Sequence, residues 1–141
     1  MGLFDMFKGG APLEITPRRA MTVSLIYCMG ADGEIDPEEI GHLLSVLGRS
    51  ATREDLDRCL KYARSTPIEN FLQDAAPKLS EPQRLCILLN MIDSAMADGE
   101  AEQGEQQLIA RFQQAFGLTD AALEPYFRAL VAKNNRAVLD V

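Results

Sequence analysis

The chain has 141 residues, 47% of them hydrophobic and 25% charged, and its 14 basic residues against 21 acidic ones give a formal net charge of −7. This length and apolar content suffice for a single folded domain with its own core. The acidic balance excludes a typical nucleic-acid-binding protein, because clustered Lys and Arg side chains are needed to bind phosphates. It favours cations, or the basic surface of a partner protein, as ligands.

Residues 1–13 are predicted to form an apolar leader and a linker. The leader carries large apolar side chains between Leu3 and Phe7, and the Gly9-Gly10-Ala11-Pro12 stretch ends it. Such a leader packs on its own domain, stays disordered, or touches a membrane surface or a partner. The longest apolar stretch, 85–92, is too short to cross a bilayer. We therefore expect no transmembrane segment and a cytoplasmic location, with a peripheral position at the inner membrane as the alternative.

Residues 14–141 are predicted to form one helical domain. Most helix starts carry a Ser, Thr or Asp cap, and Pro often takes the first helical position, where no hydrogen-bond donor is needed. Gly, Asn or Pro marks most helix ends. Apolar residues recur with helical spacing, and the period-two alternation of strands never persists. Seven helices are predicted in chain order: Thr16 to Gly30, Asp36 to Gly48, Thr52 through Ala63, Thr66 to Pro77, Ser80 to Met96, through Leu108 to Gly117, and Thr119 to Asn134, with Phe127 and Val131 in the last apolar stripe.

The sequence contains no motif that supports catalysis or a zinc site. Cys28, Cys59 and Cys86 are widely spaced and form no CxxC pair, which is typical of small buried thiols in a reducing cytoplasm. His42, the only histidine, is not part of a recognisable catalytic triad and is expected at the surface. No glycine-rich phosphate loop is present. We therefore expect a protein that is not an enzyme.

An offset of 66 residues aligns the two halves of the chain. Ala31-Asp32-Gly33-Glu34 recurs identically as Ala97-Asp98-Gly99-Glu100. Half-repeats over about 16–65 and 80–133 are therefore predicted, and they would pack as a pseudo-twofold helical bundle. The aligned pairs include Arg18 with Arg84, Leu25 with Met91, Asp36 with Glu102, Glu39 with Glu105 and, with a slip of one residue, Leu56 with Leu123.

The two acidic turns are candidate cation sites. Nine of the 21 acidic residues lie in the windows 32–39 and 98–105. The glycine in each turn permits a left-handed backbone, so that flanking oxygen atoms converge on one side. Calcium and magnesium require several oxygen ligands, and a bound cation relieves the repulsion between neighbouring carboxylates. The candidate metal ligands are Asp32, Asp36, Glu39, Asp98, Glu102 and Glu105.

The turns depart from the calcium loop of an EF-hand. When Gly33 is aligned with the central glycine of that loop, Cys28 and Gly30 occupy the first and third positions, where ligands are required. A standard EF-hand is therefore excluded, and a weaker site remains open. The alternative is that Asp36 and Glu39 only cap a helix. The recurrence of Glu34 in the second turn favours the cation site, because capping does not require that residue.

The doubled Ala-Asp-Gly-Glu turn, in an acidic seven-helix chain, resembles the tellurite-resistance protein TerB and its relatives over about residues 15–135. The resemblance implies an all-helical bundle of pseudo-repeated halves and a divalent metal held by the six acidic residues named above. It also implies a link to tellurite resistance and stress response. Related domains occur at the front of a membrane-anchored J-domain co-chaperone. The second turn has Gly104 and Ala101 where the first has Glu38 and Ile35, and we expect these smaller residues to make the second turn looser.

Two functions are therefore expected. The first is a non-catalytic module that binds calcium, magnesium or manganese and transmits a stress signal to a protein partner whose identity the sequence does not reveal. The second is a metal-free, co-chaperone-like interaction domain. In that case the acidic face docks a basic or membrane-associated partner, and the turns are only helix caps.

Overall fold

The computed structural model describes residues 13–29, 37–48, 51–97 and 103–140. These residues form seven α-helices and contain no strand, which confirms the all-helical prediction. The helices are α1 (Pro17–Met29), α2 (Pro37–Leu47), α3 (Arg53–Ser65), α4 (Ile68–Ala75), α5 (Glu81–Ala97), α6 (Gln103–Phe116) and α7 (Asp120–Asn134), with 3₁₀ turns at Ala76–Lys78 and Arg136–Asp140. In this part of the chain, no helix has the length and apolar character needed to span a membrane.

Local signals in the sequence account for most helix ends. The Thr52 and Thr119 hydroxyls each accept a hydrogen bond of 3.1 Å from a backbone N–H three residues on, at the starts of α3 and α7. Gly48 and Gly117 follow α2 and α6 with φ of 79° and 69°, a left-handed conformation that glycine adopts without strain. The sequence Thr66-Pro67-Ile68-Glu69 predicts a capping box with Thr66 as the cap of α4. This prediction is wrong, because α4 begins at Ile68 and its cap residue, Pro67, has no side chain that can accept a hydrogen bond.

Helices α1 and α5 form the centre of the bundle. They pack against each other, and each carries the next helices of its own half: α2 and α3 contact α1, while α6 and α7 contact α5. Seven of the thirteen residues of α1 are buried, among them Ser24, whose hydroxyl donates to the Ala20 carbonyl oxygen. The two halves thus have the same set of neighbours. The residue limits of the half-repeats stay a prediction.

Equivalent positions in the two halves tie the end of the first helix to the end of the third. The Tyr27 hydroxyl at the end of α1 donates to the Thr66 carbonyl oxygen after α3, at 2.7 Å. Sixty-six residues later, the Asp93 carboxylate on α5 accepts from Lys133 Nζ at 3.0 Å and from Asn134 Nδ2 at 2.8 Å, both on α7. The aligned positions in the two halves therefore make the same helix-to-helix contact with different hydrogen-bonding groups.

Helices α1 and α5 run in the same direction. Their amino-terminal ends line one cavity, which includes Thr16 to Thr22 on one side and Gln83 to Ile87 on the other. Further along, the Cys28 sulfur lies 3.7 Å from the Met91 carbonyl oxygen. The carboxyl ends of both helices, which the acidic turns follow in sequence, are therefore on the same side of the molecule.

The cysteines differ from one another in exposure. Cys28 and Cys59 are buried, as predicted, but Cys86 is exposed on α5, so that prediction is wrong for one thiol. Helical spacing placed Cys86 beside the apolar stripe, yet its side of α5 opens onto the cavity between the helix starts. Burial, assisted by the negative charge of Asp55, raises the pKa of the Cys59 thiol from 9.0 to about 11.

The Cys59 thiol is expected to make the protein less stable in alkali. Between pH 9 and 11 the unfolded chain loses this proton while the folded chain keeps it, so the free energy of unfolding falls as the pH rises, by about 2–3 kcal/mol in all. Urea unfolding at pH 8, 9 and 10 should show a steeper decline for wild type than for Cys59→Ala. Cys86→Ala is the control for loss of a thiol. Equal pH dependence in wild type and Cys59→Ala would contradict the assignment.

Candidate cation site

The acidic turns follow the carboxyl ends of the two central helices. The first lies in the sequence between α1 and α2, and the second between α5 and α6. Four candidate ligands, Asp32, Asp36, Asp98 and Glu102, lie outside the described residues. The other two are described, one from each turn. Glu39 and Glu105 each occupy the third position of the helix that follows the turn.

Glu39 and Glu105 have the same environment. Both side chains are half-buried, and in each the carboxylate oxygen Oε2 has less than 1 Å² exposed to solvent. Both residues also interact with other groups of the protein. A glutamate on a purely solvated helix face would expose both oxygens. An enclosed carboxylate oxygen needs compensation, which other groups of the protein, the positive end of its helix or a cation can supply.

The middle of α2 also lies near the carboxyl half of α5. Partial burial raises the pKa of Asp93 on α5, but this effect is outweighed by hydrogen bonds from Asn134 and Lys133 and by the positive charges of Lys133 and His42, so the pKa lies below its ordinary value. His42 acts on Asp93 from α2, three residues beyond Glu39. The helix that follows the first turn is therefore close to the helix that precedes the second turn.

The donor atoms of the candidate site are all oxygens. Carboxylate-only sets suit hard cations such as calcium, magnesium and manganese, and no soft ligand belongs to the set. Within residues 13–29, 37–48, 51–97 and 103–140, no cluster of three or more His, Cys, Asp or Glu side chains is placed to hold a metal ion. This part of the chain contributes only Glu39 and Glu105 to the predicted set of six.

His42 and Cys86 are the exposed nucleophilic or proton-transferring side chains nearest to the features described so far. His42 is exposed on α2, as expected from the sequence. The Cys86 sulfur accepts a hydrogen bond from Asn90 Nδ2 on the same helix, at 3.6 Å.

Comparison with known proteins supports the family resemblance. A sequence model of the family described as "Tellurite resistance protein TerB" matches residues 18–126, from the start of α1 into α7. Searches of curated proteins and of solved structures find no significant match. The family match covers well over half of the chain, and it includes both acidic turns. The chain therefore belongs to the TerB family.

Proposed function

We propose that this chain is a non-catalytic module whose two acidic turns bind a divalent cation. The observation that supports this most directly is the matched pair Glu39 and Glu105. Each occupies the third position of equivalent helices and holds one carboxylate oxygen inside the protein. The helices that precede the turns run in the same direction and end on the same side of the molecule. Both turns would therefore present their carboxylates to the same region of solvent.

Electrostatics favours a cation at these turns. Two like charges about 6 Å apart repel by about 3 kcal/mol at an effective dielectric constant of about 20. Nine carboxylates lie in two windows of eight residues, so negative charge is concentrated in each window. A divalent cation converts this repulsion into attraction, whereas a helix amino terminus offers only about half an elementary charge. Calcium, magnesium and manganese are the candidate ions.

The metal-free alternative also has a supporting observation. The third helical position is where the glutamate of a capping box lies, and there it reaches back to a backbone N–H of the turn. Glu39 and Glu105 both occupy it. In that case the turns are structural, and the chain acts only through contacts with a partner. The experiment below separates the two functions.

Isothermal titration of the full chain, first stripped with EDTA, with Ca²⁺, Mg²⁺ and Mn²⁺ is expected to give saturable binding of at least one ion. At 100 times the Kd, that ion should raise the free energy of unfolding by about 2.7 kcal/mol. Glu39→Gln together with Glu105→Gln should abolish both effects, and so should Asp32→Asn with Asp98→Asn. Each of these variants removes a ligand charge from both turns.

Glu38→Gln is the matched control for this titration. Glu38 adjoins Glu39 in the first turn of α2 and is exposed, and glycine replaces it in the second turn. Its substitution removes the same charge without removing a repeated carboxylate, so binding should persist. Absence of heat with all three ions, or a loss in Glu38→Gln equal to that in Glu39→Gln with Glu105→Gln, would refute the cation site. Binding of a basic protein partner without any ion would favour the alternative.

We further propose that the module acts in tellurite resistance or a related stress response, in the cytoplasm, through a protein partner that is itself soluble or membrane-associated. The family description supports this part of the proposal. It is tested by measuring the tellurite tolerance of cells whose chromosomal copy carries Glu39→Gln with Glu105→Gln. If this variant loses cation binding in vitro but the cells keep their tellurite tolerance, the role of the cation site in tellurite resistance is contradicted and cation binding itself is not.

A further inference from the structure

An apolar groove lies between α6 and α7, and its floor is formed by the carboxyl half of α5. Its volume is about 720 Å³. Ile92 and Met96 form part of the floor, and Ile109 and Phe127 stand on the two walls. The polar lining residues are Gln106, Gln113, Asp120 and Glu124. The groove is therefore apolar inside and acidic along the edge contributed by α7.

The charged side chains that line the groove are acidic. Its described lining contains two acidic residues and no Lys or Arg. Asp120 accepts a hydrogen bond from Gln113 Nε2 across the groove at 2.7 Å, and Glu124 forms an exposed ion pair with Arg128. The whole segment 96–124 holds six acidic residues against one basic residue, Arg111, which pairs with Glu69 on α4. In sequence, this segment therefore has a formal net charge of −5.

The described residues of the first half differ from this arrangement at two equivalent places. Leu43 on α2, which the 66-residue offset aligns with Ile109, is fully buried, whereas Ile109 is half-buried and lines the groove. Helix α7 exposes 45% of Tyr126 and 46% of Phe127, and no large apolar residue of α3 is exposed to that degree. At these described positions the second half is therefore more exposed than the first.

We propose that this groove binds an amphipathic helix of a partner protein, with apolar residues on one face and Lys or Arg beside them. An amphipathic helix laid in a groove buries its apolar face against such a floor. Basic residues at its edges would meet Asp120 and Glu124, the two acidic residues of the lining. The groove adjoins the second acidic turn, because Met96 and Gln106 belong to its lining, but none of the six predicted cation ligands lines it.

Charge also decides between the possible occupants. A second copy of the chain carries the same charge of −7 and would be repelled from the acidic groove. The leader of this chain has one aspartate and one lysine in residues 1–12, so it gains nothing from the acidic edge. A basic helix satisfies both the apolar floor and the acidic edge.

The test uses a fluorescein-labelled peptide of 15 residues, made of Leu and Lys with the Leu residues at helical spacing. The full chain is added to this peptide in EDTA at low salt, and binding is followed by fluorescence anisotropy. Binding is expected, and it should weaken as the salt concentration rises. A Leu/Glu peptide of the same pattern should not bind. Phe127→Ala should weaken binding about tenfold, since an aromatic residue in a binding groove typically contributes at least that much.

Tyr126→Ala is the matched control, because Tyr126 is the neighbour of Phe127, is equally exposed and does not line the groove. It should bind like wild type. Asp120→Asn with Glu124→Gln should reduce both the affinity and its salt dependence. Equal losses in the two alanine variants, or equal binding of the Leu/Glu peptide, would overturn the proposal. Two further outcomes would also overturn it. The first is peptide binding that appears only in the double variant Phe4→Asp with Phe7→Asp, which would identify the leader as the occupant of the groove. The second is a dimer of the chain that Phe127→Ala dissociates.

Discussion

Replacing Phe71 by alanine is expected to lower the free energy of unfolding by about 3–5 kcal/mol. The Phe71 ring on α4 is fully buried, and its centroid lies 5.6 Å from that of Tyr27 and 6.0 Å from that of Phe112. Tyr27 belongs to α1 and Phe112 to α6, so the ring joins the two halves of the bundle. Alanine would leave a cavity that neither half can close alone.

Urea unfolding followed by far-UV circular dichroism measures this loss as a lower midpoint with an unchanged slope. Phe127→Ala serves as the control, because the same ring is removed from a site that is nearly half exposed; it should cost less than about 1 kcal/mol. A typical domain has only about 5–15 kcal/mol of stability, so Phe71→Ala should unfold well below the wild-type temperature. Similar losses in the two variants would show that Phe71 does not connect the halves.

Replacing Arg84 by alanine is expected to cost about 2–3 kcal/mol. Its guanidinium donates from Nε to the Ala76 carbonyl oxygen at 3.1 Å and from Nη1 to the Phe116 carbonyl oxygen at 3.3 Å. Those carbonyls belong to the 3₁₀ turn after α4 and to the end of α6. Removal of the side chain leaves two partly buried acceptors at helix ends and frees the start of α5 from both neighbours.

The internal repeat supplies a control for this variant. Arg18 occupies the aligned position at the start of α1 but is exposed, so Arg18→Ala should cost less than about 1 kcal/mol. Arg84→Lys should recover only part of the loss, because one ammonium group lacks the planar fork that reaches both carbonyls. Thermal unfolding measures all three variants. Full rescue by lysine would show that charge alone, rather than the geometry of the fork, stabilises this junction.

Local chemistry explains why most of the fold could be predicted from the sequence. Thr52 and Thr119 cap helices where a hydroxyl precedes an apolar stripe, and Gly48 and Gly117 end helices by adopting positive φ. These signals depend only on neighbouring residues. The Thr66 box failed because Thr66 already ends α3, and its carbonyl oxygen accepts from Tyr27, a contact between residues 39 positions apart.

The candidate site was less accessible from the sequence. Repetition of the motif identified Glu39 and Glu105, but the parallel course of α1 and α5 depends on long-range packing and has no local signal. The groove was missed for a related reason. Helical spacing predicts that Phe127 and Val131 are apolar-face residues, yet it does not say whether another helix covers that face, and both are exposed. The role of Arg84 was likewise hidden, since its acceptors lie 8 and 32 residues away.

The contact between α1 and α5 has the character of a dimer interface within a single chain. In a twofold homodimer the same surface patch serves both subunits, and each residue near the axis meets its own copy. Leu25 and Met91, aligned by the 66-residue offset, are both fully buried in these central helices. A duplicated chain is free to change one side without changing the other, which a homodimer cannot do. The groove beside the half-buried Ile109, and the full burial of Leu43 at the aligned position of the first half, are the kind of asymmetry that such covalent linkage permits.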